Sequence, residues 1–120
     1  MNEESRYLVF AKDVLIGFSK LEKGDPPMGI AEGVFLPNEH YYPLQELFYH
    51  EKRDFDKIKE LGLYVLAPKN EKLSAIDVVI EDFSQHLETD PIELSVIGIP
   101  WEEYDKHFSH HRKAYDEHFS

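Results

Sequence analysis

Cysteine is missing from all 120 residues, which excludes disulfides, thiolate zinc sites and cysteine nucleophiles together. Also missing is any apolar run near the roughly 18 residues that a membrane-spanning helix needs. The first residues, Met1-Asn2-Glu3-Glu4, are acidic where a signal peptide is basic. Basic residues are scarce, 13 against 24 acidic ones, for a formal net charge of -11. Such a surface repels phosphate backbones, so direct nucleic-acid binding is not expected. No G-x-x-x-x-G-K-[ST], G-x-G-x-x-G or G-x-S-x-G stretch occurs to hold phosphates or to raise a serine nucleophile. These absences leave a cytoplasmic protein, with no membrane partner, in a reducing compartment.

What is present supports one core. Hydrophobic residues make up 42% and aromatics 13% of the chain, enough for a single domain spanning residues 1–120. Residues 6–11 and 14–21 are rich in β-branched and aromatic side chains around Lys12-Asp13, a hairpin pattern. Residues 23–29 read as a turn, and residues 30–36 as a third strand whose Gly33 marks a bulge or a close approach. Asn38 and Pro43 open a short helix with Leu44, Leu47 and Phe48 on one face. Asp54 caps a second one carrying Phe55, Ile58 and Leu61, which Gly62 ends. Residues 63–67, the alternation of Ile76, Val78 and Ile80, and that of Ile92, Leu94 and Val96 beyond a turn at 88–91 supply three more strands. After Gly98-Ile99-Pro100 comes a helix with an aromatic stripe of Trp101, Tyr104, Phe108, Tyr115 and Phe119. The expected fold is α+β: an antiparallel sheet of about six strands in two meanders, with two short central helices and a C-terminal helix packed on one face.

Two stretches are candidates for contact with a ligand or partner. In Asp25-Pro26-Pro27-Met28-Gly29 the prolines and glycine fix the backbone, which leaves Asp25 and Met28 as possible binding residues and the stiff corner as an aiming device for the next strand. On the C-terminal helix His107 and His111 lie four apart with Glu103 one turn earlier, a permissive arrangement for zinc or another divalent metal. Phe108 stands where H-e-x-x-H would need glutamate. The alternative is that these histidines line the border between a buried aromatic face and water, so no cofactor is required. Four histidines in one helix also raise the question of pH sensing.

The stretch from Ile16-Gly17 through Asp25-Pro26-Pro27-Met28-Gly29 to Ala31, Gly33, Phe35 and Pro37, with Tyr42 after it, resembles a family of small uncharacterised bacterial proteins carrying D-P-P-M-G-x-A-x-G. The resemblance covers about residues 14–45. It implies a bacterial cytoplasmic origin and transfers no catalytic residue.

Three functions remain. The first is a protein-binding module, of the immunity or inhibitor kind, whose acidic face meets a basic protein partner. The second is a small-ligand or metal-binding domain, with or without enzymatic activity, using Trp101, Glu103, Tyr104, His107 and His111. The third is self-association through the aromatic stripe, which keeps monomer and homodimer both open.

Overall fold

Strands form where β-branched and aromatic residues run together. The computed structural model describes residues 6–85, 87 and 89–119, the last as backbone alone. It places β1 at Tyr7–Ala11, β2 at Val14–Ser19, β3 at Lys23–Asp25 and β4 at Ile30–Pro37. β5 (Leu63–Ala67), β6 (Glu71–Lys72), β7 (Asp77–Asp82) and β8 (Ile92–Ile97) follow. The helices are α1 (Gln45–Phe48), α2 (Phe55–Glu60) and α3 (Trp101–Phe119). The fold is therefore α+β, an antiparallel sheet with short central helices and a C-terminal helix. No helix among the described residues is long and apolar enough to cross a membrane. The turn expected at 88–91 lies partly outside the described residues, as do the acidic first residues and the side chain of Phe119.

The sheet holds eight strands rather than about six, in the order β6-β5-β1-β2-β4-β8-β7 with β3 also on β4. The later strands do not form a meander of their own. The first hairpin leaves β1 with an open edge, and β5 takes it, pairing Val65 with Val9. β7 and β8 form a hairpin that joins the opposite side through β4. β6, two residues long, covers only Leu66 and Ala67 of β5, so the Leu63 end of β5 and the whole of β7 are left as margins of one curled sheet that approach each other.

Inside the curl lie Val9, Ile16, Phe35, Val65, Ile80, Leu94 and Val96, none more than 1% exposed. One end is closed by Tyr41 and Phe48 beside Phe35, and the other by Tyr104 and Phe108 of α3 beside Tyr7. Local signals account for α2: Asp54 accepts the Lys57 amide at 3.1 Å, and Gly62 takes φ 61° just past the helix. Asn38 works earlier than a helix cap, its Oδ1 accepting His40 N–H at 2.8 Å in the turn before α1.

Residues 23–29 are a hairpin, not only a turn, with Asp25 paired to Ile30. Pro26–Met28 makes one 3-10 turn, and Gly29 follows at φ 65° with its N–H on the Pro26 carbonyl at 3.0 Å. Ile99 N–H donates to the Gly29 carbonyl at 2.9 Å, and a Cβ on residue 29 would stand 2.9 Å from the Ile99 oxygen. Only glycine fits both the positive φ and the approach. The corner is thereby fastened to the entry of α3.

Candidate functional site

The residues singled out from the sequence fall into two groups. At the corner, Asp25 is exposed in extended backbone, and Met28 is 65% exposed while Pro26 is buried. Trp101, at the start of α3, is 52% exposed, and Arg112 lies over its ring at 4.7 Å. Tyr104 has gone the other way. It is 1% exposed, its hydroxyl donates to the Ile30 carbonyl at 2.9 Å, and burial, then the charges of Asp25 and Glu32, push its pKa up to about 12. A side chain so placed holds the helix to the sheet and has no free face for a partner.

Glu103, His107 and His111 are each drawn to a different neighbour. Glu103 accepts the Ser74 amide at 3.0 Å. His107 faces Glu71, Nε2 to Oε2 3.9 Å, with its ring edge-on to Tyr7. His111 is 7% exposed, stacks on Phe108 and sets Nε2 2.7 Å from the Leu21 carbonyl, a contact that requires Nε2 to carry the proton. The continuous helical face expected for the two histidines is interrupted, because Phe108 between them has φ -127° and ψ 32°. Among the described residues no three His, Cys, Asp or Glu side chains converge as a metal would require.

Burial holds the His111 imidazole below its ordinary pKa, against the opposing pull of the Leu21 carbonyl and Glu22. The sign of the pH effect follows. Above the unfolded value, about 6.5, the ring is neutral in both states. Below it the unfolded chain takes up a proton that the folded chain resists, so this stabilisation is complete above about pH 6.5 and is lost as pH falls through the lower folded value. Melting temperature measured from pH 8 to 5 should therefore drop more steeply in the native protein than in His111→Gln. Parallel curves for the two would remove His111 as the cause.

The feature that the sequence reading missed is the outer face of β3, β4, β8 and β7. Register sets Val34, Glu93 and Glu81 side by side across three strands, and sets Glu32 beside Lys23 on one side and Ser95 on the other. Glu81 stands directly opposite Glu93, a like-charge pair that costs stability in a sheet. His50 offsets part of it, Nδ1 to the Glu81 Oε2 3.1 Å. Glu22 joins from the loop before β3, its Oε2 accepting the Val34 amide at 3.1 Å. Gly33 allows this, since a Cβ there would fall 2.2 Å from the Glu22 Oε1; the close approach expected at Gly33 is made by a carboxylate. Glu22, Glu32 and Glu93 line a recess of about 90 Å³ with Lys23 as its one cation among the described residues. Three carboxylates against one ammonium leave it negative. It suits a guanidinium or ammonium group and carries no nucleophile or base in a desolvated setting. The signal in the sequence was the outward phase of Glu32 and Glu93 in their strands, though nothing local aligns the two.

No family model, curated protein or solved structure matches this chain.

Proposed function

We propose that this protein is a protein-binding module of the immunity or inhibitor kind, which presents the outer face of β3, β4, β8 and β7 to a basic partner protein in the cytoplasm. The observation that carries the reading is the three-carboxylate recess at Gly33, extended across the sheet by the unfavourable Glu81–Glu93 pairing. A fold gains nothing from opposing glutamates on neighbouring strands, whereas a cationic partner relieves them and gains encounter rate from the overall charge of -11. The cysteine-free sequence supports a reducing compartment. Asp25 and Met28 are exposed at the end of β3 and in the turn after it, next to this face in the chain, and are further candidates for contact.

The test is affinity capture from extract of the native host with the wild-type protein and with Glu32→Lys combined with Glu93→Lys. Wild type should retain a basic protein whose association slows by about tenfold between low and physiological ionic strength. The double variant should retain none of it. Equal capture by both, or capture indifferent to salt, would overturn the proposal.

A further inference from the structure

The two margins of the sheet face each other across a groove of about 750 Å³. Its floor is Ile58 and Leu63, and its rims carry Ile76 and Phe55. At 85% and 69% exposure these are the two most exposed large hydrophobic residues described. Single exposed hydrophobics are ordinary, but two lining one groove at a sheet edge are not.

The edge itself is unfinished. Phe83 N–H donates to the Pro91 carbonyl in the register of β7 with β8, so residues 77, 79 and 81 bond to β8 and the backbone groups of Val78 and Ile80 point into the groove. Side chains occupy places that a neighbouring strand would fill. The Arg53 guanidinium donates to the Ile80 carbonyl as a strand amide would. The Asp77 carboxylate accepts the Val78 amide at 2.9 Å as a strand carbonyl would. Beyond them Tyr49 makes a single parallel bridge to Asp82.

We infer that an extended segment of a partner protein pairs with the β7 edge in this groove, and that the segment alternates apolar side chains with lysine or arginine. Residues opposite Val78 and Ile80 would point inward onto Ile58 and Leu63, where apolar groups fit. Residues opposite Asp77 and Glu81 would point outward beside two carboxylates, where cations fit. The inference rests on the basic-partner reading for the sign of the segment's charge, and places that partner's extended part on the margin of the same acidic face.

The probe is a capped synthetic peptide of alternating valine and lysine, titrated by fluorescence anisotropy. Saturable binding to the native protein is expected. Phe55→Ser combined with Ile76→Asp should weaken it by about tenfold, and both sites are exposed enough to spare the fold. The same peptide with alternate backbone amides N-methylated keeps its charge and should also bind about tenfold more weakly, since the pairing hydrogen bonds are lost. Absence of saturable binding to the native protein overturns the inference, and so does undiminished binding of the N-methylated peptide. Glu32→Lys alone, two strands away from β7 and not paired with Asp77 or Glu81, leaves this edge intact and should hold peptide affinity within about threefold. A failure of capture and a failure of peptide binding are therefore read separately.

Discussion

Asp82→Ala is expected to lower the folding free energy by about 3 kcal/mol, read as a shift in urea midpoint without a change in slope. Asp82 is fully buried at the end of β7, and no cation among the described residues is paired with it. Its Oδ2 accepts the Tyr41 hydroxyl at 2.6 Å and the Gln45 amide at 3.0 Å, while Oδ1 accepts the Ser84 N–H at 2.8 Å and its hydroxyl at 2.5 Å. Burial alone would raise the carboxyl's pKa; the hydrogen bonds from Ser84, Tyr41 and Gln45 outweigh it and hold the group below the usual range. In turn burial, reinforced by donation to Asp82, pushes the Tyr41 phenol far up. Truncation strands the Tyr41 hydroxyl without an acceptor beside Phe35 and Phe48. Because the folded pKa is depressed, this stabilisation stands above the unfolded value of about 3.9 and is lost as pH falls through the folded one. Acid unfolding should accordingly be shallower in Asp82→Asn. A loss below about 1 kcal/mol for Asp82→Ala would show that the network contributes little.

Phe108→Ala should cost more, about 3 to 5 kcal/mol. The ring is fully buried, stacks on Tyr7 at 5.2 Å and on His111 at 5.5 Å, and meets Tyr104 at 5.3 Å. It is also the residue at which α3 breaks, so one side chain both plugs the end of the sheet and sets the course of the following turns. Phe108→Leu should lose less than about 2 kcal/mol, since most of the volume stays. If the alanine variant melted like wild type, the helix would have to be docked by other residues.

These two residues differ in how visible they were beforehand. The alternation of Ile76, Val78 and Ile80 continues to residue 82, so the inward phase of Asp82 was written in the sequence; it was obscured by an acidic composition that makes neighbouring carboxylates commonplace. The break at Phe108 had no local mark, neither proline nor glycine, because packing on Tyr7 accompanies it from 101 positions away in the numbering. α2 was legible because Asp54 and Gly62 act on their own turn. β3 was not, since Lys-Gly-Asp has no apolar phase and becomes a strand only by pairing with β4. The acidic recess depends on register between strands far apart in sequence, and single strands do not reveal which partner they will find. Met28, whose orientation the sequence left open, points outward.

The stacking of Tyr7 on Phe108 also fixes an order of events. The hydroxyl of Tyr7 reaches the His107 carbonyl at a separation of 100 residues, so the inner side of the first strand has no cover until the last helix exists. The strands can curl, apolar inside, only once β8 has been made, and that end of the curl then stays open until α3 docks on it. Contacts of such range slow folding and make it all-or-none, which leaves the nascent sheet dependent on its own curl, or on a chaperone, to keep that end from other chains.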